Sequence, residues 1–385
     1  MSSASSLMVL LGLSISLLVI LIAKFKAHAS LALIFCSLAL AIATGIPMNK
    51  LVSTVEKGIG DRLAFLALIM GLGAILGKML DDSGGAERIA RTLLDKAGTH
   101  NGPCVMAVIG FLVGIPVFSD IGILLMVPLV AVRAQNAGIS KFRIAVPLLV
   151  SLHVIHCIVP PHPAATAVNA ILGADIGSVI MQGMLMAIPC VIARMLYISL
   201  VFGKERLPLV QLESAAGVRM GDDELPGFGI TLCTVLLPLF IMVSKTLLLL
   251  SLPPDSFYRP FVEFVGNPFT ALLISVCFAF WSLGLARRRT LSDLANLTSD
   301  GYRQIANVML IIASGSAFNA VITASGISDV LGQTLGDYRS ARSYWLSFSL
   351  ECLTWLWDPQ QWQCSERPGS FPLCYTPTPA STPLP

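Results

Sequence analysis

Seven stretches of this chain stay apolar for about 17 to 25 residues at a time, at positions 7–23, 30–46, 63–80, 178–202, 229–250, 268–285 and 305–323. About 20 mainly apolar residues are what a helix needs to cross the hydrocarbon core of a bilayer, where only helices and closed barrels satisfy their own backbone. The pattern predicts an all-α polytopic membrane protein. Charge usage agrees, since 12% of the 385 residues are charged, about half the share of a soluble domain. The formal net charge of +3 is scattered, with no basic block that would suggest nucleic acid.

Lysines and arginines report orientation instead. The leader MSSASS carries no positive charge, and Lys24 and Lys26 follow the first apolar run. Ala27-His28-Ala29 therefore reads as the loop after an anchor and not as a signal-peptide cleavage site. Between residues 103 and 173 the runs are shorter and cut by proline, glycine or aspartate: 104–115, 121–132, 144–159 and a weak 164–172. Reading each run up to 159 as one crossing from an outside N-terminus gives about ten crossings in all. The groups Lys24/Lys26, Arg88/Arg91/Lys96, Arg133/Lys141/Arg143, Lys204/Arg206 and Arg287/Arg288/Arg289 then fall inside. Lys50, Lys57 and Arg62 are the exception, and they are mixed with Glu56 and Asp61. Residues 203–228 become a cytoplasmic linker between membrane segments 1–202 and 229–336. The nine cysteines lie singly without a C-x-x-C and read as small apolar residues.

Three places interrupt the apolar pattern with chemistry. At 153–166, HVIHCIVPPHPAAT, Pro160, Pro161 and Pro163 remove amide donors and push preceding residues out of helix, so a helix from Ile144 is predicted to end near Val159. Broken backbone at membrane depth survives only where protein or a water-filled cavity satisfies it, which marks a substrate site. His156 and His162 can donate to a carboxylate or hydroxyl or relay a proton. The competing reading satisfies the histidines with carbonyls that the prolines free, His153 above all. Thr166 and Asn169 add neutral donors on a short second helix whose N-terminus suits an anion. His153 and His156 share a helix face, as metal ligands can, but no carboxylate follows at protease spacing, so no metal or other cofactor is expected.

The second interruption is IPVFSDIG at 115–122, where Pro116, Gly114 and Gly122 unwind the chain beside Ser119, and Asp120 is an ionisable group in an apolar stretch. An acid in such a stretch faces a cavity or pairs with a cation, unless the turn places it in headgroups or water. The third is IIASGSAFNAV at 311–321, where Ser316 and Asn319 line either a substrate-facing surface or merely a close helix contact at Gly315 and Ala317. GLGAILGK at 71–78 lacks the spacing of a phosphate-binding loop, and its Gly73 and Gly77 read as places where another helix comes close.

Together these segments resemble the gluconate:proton symporter family of bacterial inner-membrane carriers. The match rests on GLGAILGKMLDDSGGAERIA from Gly71, GIPVFSDIGILLMVPLV from Gly114, HCIVPPHPAATAV from His156, VEFVGNPFTALL from Val262 and IIASGSAFNAV, covering about residues 7–336. The resemblance implies a multi-pass carrier in the inner membrane that moves sugar acids such as gluconate, or D-serine in one branch, driven by protons. It also implies an ion-transporter fold of two inverted repeats. Broken-helix ends with His156, His162, Thr166, Asn169, Ser119, Ser316 and Asn319 would then bind the carboxylate, and Asp120 would take the proton. The lipid bilayer is the obligatory partner, and a homo-oligomer is left open. Two departures matter for substrate. The gluconate carriers usually read F-[FY]-E-V-G where this chain has Phe118-Ser119-Asp120-Ile121-Gly122, and PPHPGPT where it has PPHPAAT. The Cys157 and Ala164-Ala165 variant is closer to the D-serine branch. A metal-dependent membrane enzyme is the remaining alternative, which stoichiometric zinc in purified protein would favour.

After about residue 337 the family continues with further helices and a G-S-A-T-V-A motif, whereas this chain turns polar and proline-rich. Reading the third base of each codon with the first two of the next converts WDPQQWQC at 357–364 into a forced Gly, a permitted Ser, Ala, Thr and Val, a forced Ala and a permitted Met. The expectation is a frameshift near residues 337–343, with a non-family tail at 337–385 and an incomplete second repeat.

Overall fold

The computed structural model describes residues 4–97, 102–117, 119, 122–123, 126–127, 130, 134, 141–202, 221 and 224–336, and there is no strand among them. The helices are α1 (Ala4–Ala23), α2 (Ala29–Ala43), α3 (Met48–Asp82), α4 (Gly85–Ala97), α5 (Gly102–Gly114), α6 (Lys141–Ile158), α7 (Pro163–Leu172), α8 (Ile176–Phe202), α9 (Phe228–Ser251), α10 (Arg259–Val265), α11 (Pro268–Ala279), α12 (Leu291–Ala324) and α13 (Ile327–Gly336). Six are long and apolar enough to cross a membrane: α1, α3, α8, α9, α11 with its continuation to Arg287, and α12; α2, α5 and α6 are shorter apolar helices. The all-α, polytopic expectation holds. Asp120, most of the run 121–132, the linker up to 220 and the tail 337–385 lie outside the described residues.

Two helices run well past their apolar windows. α3 starts 15 residues before the run at 63–80, and α12 starts 14 residues before the run at 305–323. Hydropathy marks where lipid can be met, but a helix propagates until its backbone is interrupted, and neither extension contains proline. α12 is further fixed by a capping box, in which Thr290 Oγ1 accepts from the Asp293 amide and the Asp293 carboxylate accepts from that of Thr290. The pair pack antiparallel through small residues. Gly58 lies against Ala317 and Ala320, Gly71 against Tyr302, and Gly301 against Ile75.

α5 and α6 pack side by side in the same direction, with Gly102 against Ile144, Gly110 against the Leu148 carbonyl and Gly114 against Leu152. At about 1.5 Å per residue α5 rises only ~20 Å, short of the ~30 Å hydrocarbon thickness, so its end lies at membrane depth. α6 stops at Ile158, one residue from the sequence-based expectation.

At the end of the molecule that carries the basic turns, three cationic groups hold the chain entering α9. Arg88 donates to the Pro226 carbonyl at 2.8 Å, Arg287 to that of Glu224, and Lys96 sits 5.5 Å from the Phe228 ring centre. Arg289 pairs with Asp82 at the end of α3. These are the positions assigned to the cytoplasm by the positive-inside pattern.

Candidate functional site

The two broken stretches meet on one face of α3. Gly73 and Gly77 are one helical turn apart; a Cβ on Gly73 would sit 3.4 Å from Pro161, and one on Gly77 would sit 2.6 Å from the carbonyl oxygen of Pro116. The glycines thus admit the Pro161 ring from one interruption and the Pro116 backbone from the other, where the sequence had suggested the flank of another helix. Gly77→Ala is expected to destabilise the fold by ~1–3 kcal/mol, the cost of overpacking against backbone that cannot swing away. Gly60→Ala, with nothing within 4 Å of its Cβ, serves as the control in a thermal unfolding comparison.

His162 ties the breaks together. Its side chain is buried, 3% exposed, and Nε2 donates to the Gly114 carbonyl oxygen at 2.6 Å. That carbonyl is free because α5 ends there, before Pro116. The competing reading of the sequence is therefore realised at His162, and Nε2 is not available to a substrate while that bond stands. The His156 ring lies beside it, centroids 4.4 Å apart. His153 is exposed on α6, and among the described residues no three His, Cys, Asp or Glu side chains converge to hold a metal.

Beyond the break, His162 also serves as the N-cap residue of α7, its carbonyl accepting from the Thr166 amide at 2.9 Å. Pro163 at the first position has no amide of its own to satisfy, and the amides of Ala164 and Ala165 are those that a helix start leaves for an outside acceptor. Thr166 is fully buried and Asn169 is 5% exposed. Neither Thr166 Oγ1 nor Asn169 Oδ1 has a hydrogen-bond partner among the described residues. A buried polar atom left so costs ~1–3 kcal/mol, which a ligand hydroxyl would recover. Ser119 is buried as well, next to the first break.

Ser316 and Asn319 are not brought to this place. The Ser316 hydroxyl donates to the Ile312 carbonyl, its own carbonyl borders Gly58, and Asn319 is exposed. Gly58 and Gly73 are 15 residues apart on α3, ~22 Å along the helix. The close-packing reading of that stretch is realised at Ala317, against Gly58, but not at Gly315, where a Cβ would have nothing within 4 Å.

One arrangement went unforeseen. After the left-handed Gly173 that ends α7, Asp175 receives Lys245 Nζ at 2.8 Å, Thr246 Oγ1 at 2.9 Å and the Ser178 amide at 3.0 Å, joining α7 and α8 to α9. A lone lysine inside the run 229–250 was the available signal, because a cation there needs a partner. Burial pushes the Asp175 carboxyl up, but Lys245, Ser178 and Thr246 outweigh it and hold the group at about 2. A carboxyl depressed below its ordinary 3.8 stabilises the fold fully above that pH and stops doing so as pH falls towards 2. Asp175→Asn should therefore cost a constant ~0.5–1 kcal/mol between pH 5 and 8, the scale of a partly solvated pair. The difference from the parent should close below about pH 4, read as unfolding midpoints across that range.

Comparison with known proteins adds to this geometry. The model of the GntP family permeases matches residues 6–350. The D-serine transporter DsdX of Escherichia coli (strain K12) is 39% identical over 328 residues, 84% of this chain and 73% of that protein. A gluconate permease of Pseudomonas aeruginosa is 37% identical over 317 residues, 82% of this chain and 70% of its own length. The Gnt-II system L-idonate transporter of Escherichia coli (strain K12) is 31% identical over 329 residues, 85% and 74% of the two chains.

Proposed function

We propose, from the premise that the chain belongs to the GntP permease family, that it is built as an inner-membrane carrier of gluconate or a related small hydroxylated carboxylate. The observation that carries the reading is the convergence of the two breaks on Gly73 and Gly77, with the unpartnered Thr166 and Asn169 oxygens buried just beyond. Gluconate, L-idonate and D-serine, the compounds named for the relatives, all present a carboxylate beside carbons that bear hydroxyl or amine groups. The open amides at the start of α7 suit the carboxylate, and Thr166 and Asn169 suit a hydroxyl on a neighbouring carbon. D-serine is the second reading, favoured by the Ala164-Ala165 variant at the first turn of α7.

Transport on this reading is driven by protons, with Asp120 as the carrier of the proton. In a frame-restored chain Asp120→Asn should leave equilibrative exchange of gluconate intact and abolish accumulation against a gradient. Accumulation that persists in the mutant would move the proton path elsewhere. The substrate is tested by uptake of labelled gluconate by the frame-restored chain in a host without its own carriers, with D-serine and L-idonate as competitors. Absence of gluconate uptake, together with absence of uptake of labelled D-serine and L-idonate, would remove the proposal.

A further inference from the structure

The connection between α9 and α11 carries a surface that the carrier reading does not use. Over residues 252–267 the chain reads LPPDSFYRPFVEFVGN, with Pro253 and Pro254 closing α9 and Pro260 in the first turn of the seven-residue α10. Four aromatic side chains here are open: Phe257 at 90%, Phe261 at 67%, Tyr258 at 66% and Phe264 at 66% exposure. At about 100° per residue, Phe261 and Phe264 fall within ~60° of one another on α10, and the exposed Phe257 stands in the turn just before it. Arg259 and Glu263, paired at 3.1 Å, fall on the opposite side by the same spacing. A segment with a purely aromatic face and a charged face that neutralises itself is two-sided in the way that suits a bilayer–water boundary.

Position fixes which partner that face meets. α9 and the α11 helix to Arg287 are both long and apolar enough to cross a membrane, so the turn joining them lies where the hydrocarbon ends. It is the end opposite Arg287, Arg288 and Arg289, and so the outer one on the positive-inside pattern. Its orientation is held from beneath. Gly266 closes the helix against α9 so tightly that a Cβ there would fall 2.1 Å from Lys245 Cβ, and the Gly266 amide donates to the Val262 carbonyl at 3.0 Å. The aromatic face cannot roll inward without displacing Lys245, which is itself bonded to Asp175.

We infer that residues 252–267 form an interfacial anchor, whose Phe257, Phe261 and Phe264 face lies in the headgroup–acyl boundary of the outer leaflet. The 385-residue chain itself tests this, reconstituted in phosphatidylcholine vesicles, with Phe261→Trp and Phe264→Trp as separate probes and the parent emission subtracted. The added tryptophan emission is expected to be blue-shifted, and quenched at least twofold more by lipid brominated near the headgroup end of the acyl chain than by aqueous acrylamide. Quenching by acrylamide without quenching by brominated lipid would place the segment in water and overturn the inference. Protection from both quenchers would overturn it too, and dependence of that protection on the protein-to-lipid ratio would identify a second copy of the chain as the cover.

Discussion

If the reading frame is shifted near residues 337–343, restoring it, so that positions 357–364 are read as G-S-A-T-V-A-M, is expected to turn a chain that accumulates no gluconate into one that does. In carriers built from inverted repeats the substrate lies between broken helices of both halves. The first half's breaks are in place here, joined by His162 and Gly114. As translated, residues 340–357 offer one apolar run interrupted by Arg342 and Glu351, too short for the ~20 residues of a crossing. Residues 358–385 carry seven prolines. Uptake of labelled gluconate and D-serine by the two versions in one carrier-free host decides it. Energised uptake by the 385-residue form at the level of the restored one would sink the frameshift reading.

His162→Ala, in the frame-restored chain, is expected to weaken substrate affinity at least tenfold, about 1.4 kcal/mol. The reason is the bond from Nε2 to the Gly114 carbonyl, not a contact with the anion. Removing the imidazole leaves a buried carbonyl unsatisfied and uncouples the first break from the helix that holds Thr166 and Asn169. His162→Gln, whose amide can donate from a similar reach, should recover most of the affinity and should still allow uphill accumulation. Loss of accumulation with affinity retained in the Gln variant would instead make His162 a proton carrier.

The breaks themselves were legible because proline acts locally: Pro160, Pro161 and Pro163 end α6 whatever surrounds them. The N-terminus of α7 and the spans at α8 and α9 follow from equally local signals. What could not be read was where the freed groups go. Nothing adjacent to Gly114 announces a histidine 48 residues away, and nothing in GLGAILG distinguishes a helix flank from the carbonyl of Pro116. Ser316 and Asn319 look like site residues by type, but which face of α12 they occupy depends on α3, which local sequence does not contain. The polar beginnings of α3 and α12 were missed for a related reason. Hydropathy measures transfer into lipid, whereas each of these turns is held by the later, apolar part of the partner helix, Gly58 by Ala317 and Gly301 by Ile75.

The antiparallel pairing of α3 with α12 has a consequence for the surrounding lipid. Gly71, at the middle of the α3 apolar window, faces Tyr302, which precedes the apolar window of α12. The two windows are therefore out of step by about ten residues, ~15 Å along the pair. A flat hydrocarbon slab ~30 Å thick cannot be centred on both. The α3 window is 67% buried inside the protein, so the step is met largely by protein along α3 and by lipid along α12, with Glu56 and Lys57 standing at the level of lipid-compatible turns of the neighbouring helix. Mismatch costs fractions of a kcal/mol for each Å. Bilayer thickness thereby enters the energy difference between any two arrangements in which these helices tilt or slide.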